Sequence, residues 1–182
     1  MELRVAPLTP KLWPALEELF ATNRTCNQCW CMYWRIGSAY RNRAGGDNKS
    51  DFRQLVREDD PPGHLAFDGG KPVGWLQLTP RGALPALERN KRLARVDEVP
   101  VWSISCFFVR VGYRKRGVTE ALIAAAIAAA RKAGAPALEA YPVDAGETSS
   151  SSFTGYLSTF LRLGFREVER RAPARPIVRY EF

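Results

Sequence analysis

The sequence predicts an α+β fold, and three observations carry that reading. Short apolar runs bounded by turn residues recur along the chain, segments with helical spacing lie between them, and near the middle a strand-like run switches to an Ala-rich helix across a glycine. At 182 residues the chain is long enough for one domain with a substantial core, spanning 1–182 without a linker or internal repeat.

Residues 1–7 alternate enough to form a first strand. Thr9-Pro10 then reads as a helix start, with Thr9 capping and Pro10 in the first turn, and Leu12, Trp13, Leu16, Leu19 and Phe20 follow at helical spacing. The stretch 24–46 is mixed, and 47–58 reads as a second helix with Phe52, Leu55 and Val56 on one face. Gly69-Gly70 between the runs 64–68 and 71–78 is a hairpin signal. Residues 82–99 form a basic, partly helical connection before the strand Val101–Val109. Val118–Ala133 is a third helix, with Glu120 in its first turn, Arg131 and Lys132 in its last, and Gly134 and Pro136 beyond its end. A strand over 137–143, a mobile stretch 147–152, a helix over 153–163 and strands near 165–171 and 176–182 complete the chain. That makes six to seven strands and about four helices.

Twenty-seven basic and 19 acidic residues give a formal net charge of +8, in short clusters rather than one long block. A basic surface attracts polyanions, including a phosphate-rich cofactor, but the aromatics do not interleave with the basic residues as an RNA-stacking platform requires. No apolar run approaches bilayer length. Met1-Glu2-Leu3-Arg4 lacks the pattern of a signal peptide, so a cytoplasmic location is expected. Three of the four cysteines, Cys26, Cys29 and Cys31, fall close together; with only Cys106 and His64 to complete a zinc site, no metal is expected, and packing in the core or in the wall of a pocket is the better reading.

The chemistry concentrates where the strand Cys106–Val109 runs into the basic turn Arg114-Lys115-Arg116-Gly117 and then a helix. Free amides at a helix N-terminus form an anion site, and glycine admits a phosphate close to the backbone. The turn is not a P-loop, since no Gly-Lys-Ser/Thr occurs, and it lacks the glycines of the dinucleotide fingerprint. With Tyr113 before it and Ala121-Leu122 after it, Arg114-Lys115-Arg116-Gly117-Val118-Thr119 resembles the central Arg/Gln-x-x-Gly-x-Gly/Ala motif of the GNAT superfamily of N-acetyltransferases. The order of surrounding elements matches over roughly residues 60–170, and Trp30-Cys31-Met32-Tyr33-Trp34 and Glu139-Ala140-Tyr141-Pro142-Val143 resemble a bacterial branch.

That resemblance implies a mixed, mostly antiparallel central sheet and acetyl-CoA as acetyl donor. It implies cofactor contacts from Phe107, Phe108, Val109, Arg114, Lys115, Arg116, Gly117, Val118 and Thr119, with a bulged strand offering an amide near 107–109 to the thioester oxygen. The acceptor would be a primary amine on a small molecule or a protein, attacking directly in a ternary complex, with Trp30, Tyr33 and Trp34 as pocket residues or as core. A homodimer is a common assembly among similar proteins. Two departures stand out. Thr119 replaces a small residue, and Phe160 replaces the tyrosine that protonates the CoA thiolate in many members. Tyr141 and Tyr156 are the alternatives for the acid; Glu139, Asp97 and Glu98 are candidates for the base, with structural ion pairing as the plainer role. Phe160 leaves open a catalytically weak acyl-CoA- or RNA-binding module, and a donor with a longer acyl chain is a further alternative.

Overall fold

A computed structural model describes residues 2–57, 61–145 and 153–182. Its strands are β1 (Leu3–Pro7), β2 (Gly63–Asp68), β3 (Lys71–Pro80), β4 (Trp102–Val109), β5 (Ala137–Ala140), β6 (Arg166–Glu169) and β7 (Ile177–Glu181), forming one sheet in the order β1-β2-β3-β4-β5-β7-β6. Every pairing is antiparallel except β4–β5. Among the described residues there are seven α-helices: α1 (Trp13–Ala21), α2 (Arg24–Cys29), α3 (Tyr33–Ile36), α4 (Gly45–Arg57), α5 (Pro85–Glu88), α6 (Val118–Lys132) and α7 (Leu157–Arg162). Among the described residues no helix is long and apolar enough to cross a membrane.

The two faces of the sheet bury different layers. Val118, Leu122, Ile123, Ala126 and Ala130 of α6 and Phe160 of α7 pack on Leu76, Leu78, Ile104 and Phe107. Gly74 makes this approach possible, because a Cβ there would lie 2.5 Å from Val118 Cγ1. On the opposite face Trp13, Leu16, Phe20, Trp30 and Phe52 cover Leu65, Trp75 and Phe108.

Several boundaries differ from those the sequence predicts. Thr9 makes no side-chain cap; Pro10–Leu12 is a single 3-10 turn, and the α-helix starts at Trp13 with Pro14 in its first turn. The helix expected from residue 153 starts only at Leu157, because Gly155 is left-handed (φ 76°) and Tyr156 is extended. The fifth strand stops at Ala140, short of Pro142, and Val143 forms an isolated bridge with Tyr156 instead. The stretch 147–152, expected to be mobile, lies outside the described residues.

Two features of β4 position the site. The β3 register steps from Gln77↔Cys106 to Leu78↔Ile104, so Ser105 is an extra residue on β4. The bulge changes the parity of the strand. Ile104 and Phe107, three apart, both face α6, while Ser105 and Cys106 in succession face the other side. In addition, β4 pairs with β5 only as far as Ile104↔Ala140 and then continues through residues 105–109, so the sheet splits between them.

Candidate active site

The split opens into a cleft of about 640 Å3 between the end of β4, the start of α6 and the start of α7. Its basic wall is the turn after β4, which curls through three left-handed residues, Gly112 (φ 89°), Lys115 (φ 59°) and Gly117 (φ 77°). Only glycine takes such a φ without strain, and an added Cβ at Gly117 would meet nothing within 4 Å, so the space above it is open to a ligand. Helix α6 makes its first intrahelical bond from Ala121 N–H to Gly117 O. The amides of Val118, Thr119 and Glu120 precede that bond and are left for an anion. Arg114, Lys115 and Arg162 line the same cleft.

Of the nine residues the sequence assigns to the cofactor, Phe107, Phe108, Val109, Arg114, Lys115, Gly117, Val118 and Thr119 line this cleft, and Arg116 does not. Its guanidinium instead lies 5.8 Å over the Tyr113 ring. The donor set fits a pyrophosphate: positive side chains, free amides, and a glycine whose missing Cβ leaves room.

Along β4, Arg110 N–H donates to Val73 O, so by alternation the amides of Phe108 and Cys106 also face β3, while those of Phe107 and Val109 face the split edge. The segment Phe153–Tyr156 crosses that split. Phe107 N–H donates to Phe153 O at 2.5 Å, and Val143 N–H donates to Gly155 O at 2.8 Å. The Phe107 amide, one of those expected near the thioester, is therefore already taken, whereas that of Val109 faces the cleft.

A second cavity, of about 460 Å3, lies on the opposite side of Phe108 and Phe153, which line both. Its floor is Trp75, Gln77, Ser105 and Cys106, with Ser105 and Cys106 presented together by the bulge. Trp34 Nε1–H donates to Ser105 O at 3.1 Å and ties α3 to the bulged segment. Of the residues nominated for an acceptor pocket, Tyr33 and Trp34 line this cavity and Trp30 does not. Trp30 is left-handed (φ 47°) and turns back to stack on Trp13 at 5.4 Å, with its Nε1–H on Asn27 O.

All four cysteines line the same cavity and all are free. Cys31 Sγ accepts from Trp75 Nε1–H at 3.1 Å. Burial pushes the Cys29 thiol up to about 11, and it raises Cys26 and Cys31 further, so these three sulfurs are neutral near pH 7. Among the described residues no three His, Cys, Asp or Glu side chains converge to hold a metal ion.

Sequence reasoning nominates Glu139 and Tyr141 for chemistry, but neither lines either cavity. Glu139, 1% exposed, is clamped by Arg179 Nη2 at 2.7 Å and Arg81 Nη1 at 3.3 Å. Tyr141 Oη donates to Glu139 Oε2 at 3.2 Å, accepts from Arg81 Nη1 at 3.0 Å and lies in hydrogen-bond contact with Ser103 Oγ at 2.8 Å, and burial raises the phenol's pKa. Asp97 is held by Arg179, whose hydrogen bonds keep its carboxyl below the usual range. Glu98 is exposed and away from both cavities.

Tyr156 is placed differently. It is 45% exposed and lines the larger cleft, whereas Phe160 is fully buried. The two do not share a helical face, because Tyr156 precedes the helix in extended backbone.

Gln77, Ser105, Thr154 and Arg175, which sequence reasoning did not single out, also line the smaller cavity. The bulge that brings Gln77 and Ser105 there is a register event that alternation of residue types does not reveal. Arg175 lies beside the last strand, far along the chain from the motif.

The split sheet thus carries a basic glycine turn with free helix amides on one side and an aromatic-lined cavity on the other. The chain belongs to the acetyltransferase (GNAT) family, whose model matches residues 16–154, and with that membership goes an acetyl-CoA-type donor. Among solved structures, an agmatine N-acetyltransferase mutant in its apo form is 11% identical over 100% of both chains, with a TM-score of 0.65. The PaiA N-acetyltransferase of Thermoplasma acidophilum in complex with coenzyme A is 13% identical, also over 100% of both chains, at 0.56. An acetyltransferase of Thermus thermophilus is 22% identical over 100% of this chain and 98% of that one, at 0.55. At these identities the likeness is one of fold. No curated protein sequence matches the chain.

Proposed function

We propose that the protein transfers the acetyl group of acetyl-CoA to a primary amine of a small molecule or protein, by direct attack in a ternary complex. The observation that carries this reading is the junction of the two cavities. Phe108 and Phe153 line both, so a donor in the larger cleft and an acceptor in the smaller one meet there. Acetyl-CoA supplies an electrophilic thioester carbonyl. Gly117, Arg114, Lys115 and the free amides of Val118 and Thr119 hold its pyrophosphate, and the Val109 amide holds the arm or the developing oxyanion.

In the transfer, the amine nitrogen forms its bond to the carbonyl carbon as the carbon–sulfur bond breaks. Nitrogen loses one proton, sulfur gains one, and an amide and a thiol result. Tyr156, exposed in the donor cleft, delivers the proton to sulfur. No carboxylate lines the acceptor cavity among the described residues. Its apolar walls and arginines disfavour an ammonium ion, lower the amine's pKa and so present it neutral. Glu139 and Tyr141 act behind the wall, holding β4, β5 and β7 in place. The reading extends to one domain over 1–182, and four free cysteines support a reducing compartment such as the cytoplasm.

The test is incubation with acetyl-CoA and a panel of primary amines, scored by thiol release and by mass spectrometry of the acetylated product. CoA binding with no product from any amine would replace the enzyme with a binding module.

A further inference from the structure

We infer that the acceptor is an anionic aromatic amine, with a carboxylate beside its amino group as in an aromatic α-amino acid, and that Arg175 and Gln77 bind the anion. This deepens the acetyltransferase reading and rests on it.

The first observation is Arg175. The other buried arginines are balanced: Arg81 by Glu88 and Glu139, Arg179 by Asp97 and Glu139. Arg175 is half-buried at the acceptor cavity and has no carboxylate partner among the described residues; its one side-chain bond is from Nη1 to Thr154 Oγ1 at 2.6 Å. Burial lowers its pKa, the direction expected of a cation stripped of water without a counter-charge. A guanidinium with open donors at a cavity wall recognises carboxylate or phosphate.

The second observation is independent. Gln77 is fully buried on the cavity floor, its Oε1 accepts from Ser105 Oγ at 3.0 Å, and its Nε2 has no acceptor. Buried amides without partners are rare because each forfeits its hydration. Gln77 lines the cavity floor, so a small reorientation of its amide would bring Nε2 to a ligand oxygen.

The third observation is the remaining lining. Arg41 and Arg92 add positive charge, and among the described residues no Asp or Glu lines the cavity to balance a dicationic amine. Tyr33, Trp34, Trp75, Phe108 and Phe153 instead offer flat apolar walls to an aromatic body. The volume of about 460 Å3 suits a small molecule.

The test compares phenylalanine with phenethylamine, its decarboxylated counterpart, with its phosphonate analogue and with the dication agmatine. Acetyl-CoA-dependent thiol release gives kcat/KM, and calorimetry on the full chain saturated with CoA gives affinity. Phenylalanine should exceed phenethylamine by roughly ten- to hundredfold, the effect of a hydrogen-bonded charge. In Arg175→Gln that ratio should collapse towards one, mainly through KM, and Arg175→Lys should recover part of it. A preference for phenethylamine or agmatine, or a ratio unchanged in Arg175→Gln, would overturn the assignment while leaving the acetyltransferase intact. A preference for the phosphonate would overturn the carboxylate. If no amine is turned over, calorimetry still decides: phenylalanine binding that weakens in Arg175→Gln supports the site, and absence of binding removes it.

Discussion

Phe107 and Phe153 are joined by a backbone bond, N–H to O at 2.5 Å, at the point where the two cavities meet. The bond uses one of the two β4 amides that face the split edge and leaves that of Val109. In the ligand-free protein, residue-resolved hydrogen exchange should therefore be slow at Phe107 and fast at Val109. Saturating CoA should slow exchange at Val109 and leave Phe107 as it was. Strong protection of Val109 before CoA is added would remove it from the donor site.

Tyr156 and Tyr141 separate chemistry from architecture. Tyr156→Phe deletes an exposed hydroxyl in the donor cleft, so kcat should fall by roughly two orders of magnitude, with CoA affinity and melting temperature nearly unchanged. Tyr141→Phe leaves Arg81, Ser103 and Glu139 each short of a buried partner. It should destabilise the fold by about 1–3 kcal/mol, with turnover per folded molecule retained. Denaturant titration beside steady-state kinetics reads both effects. Equal kinetic losses in the two variants would contradict this division of roles.

Gly117 tests the anion site. An added Cβ meets nothing within 4 Å in the free protein, yet the φ of 77° disfavours any L-residue and the new atom enters the space proposed for the phosphate. The left-handed conformation costs roughly 1–2 kcal/mol per non-glycine residue. Gly117→Val should weaken CoA binding by about tenfold or more. Calorimetric titration with CoA checks this, and unchanged affinity would move the pyrophosphate away from the α6 N-terminus.

The cleft at the start of α6 was far more legible in the sequence than the smaller cavity. A strand, a glycine turn and an amphipathic helix are contiguous, so periodicity and turn chemistry place Gly117, Val118 and Thr119 directly. The smaller cavity is assembled from α2, α3, the β4 bulge and Arg175, residues whose neighbours are set by tertiary packing. Trp30 illustrates the gap. It adjoins Cys31 in sequence, but its left-handed backbone sends the ring into the α1 layer, and no spacing rule anticipates that. Glu139 shows the converse: a carboxylate on the strand after the cofactor helix invites a catalytic reading, and only the positions of Arg81 and Arg179 reveal its ion pairs.

His64, the chain's sole histidine, gives a pH signature unconnected with catalysis. It is buried on β2, its Nδ1 has no partner, and burial pushes its pKa down from 6.5 to about 4. The unfolded chain therefore binds a proton between those values that the folded chain refuses. The resulting stability is fully present above pH 6.5 and is lost as pH falls towards 4. Between pH 7.5 and 5 this group should remove about 2 kcal/mol of unfolding free energy. Asp97, Glu88 and Glu167 are shifted downward by their arginines, so their contribution is lost only below the ordinary carboxylate range, about pH 4. Above that range the slope belongs mainly to His64. Guanidinium denaturation at pH 7.5, 6 and 5 should show the decline in the native protein and a nearly level series in His64→Leu. His64 lines neither cavity, so the pH profile of kcat in that variant should match the native one. An equal decline in both proteins would assign the pH sensitivity to other groups.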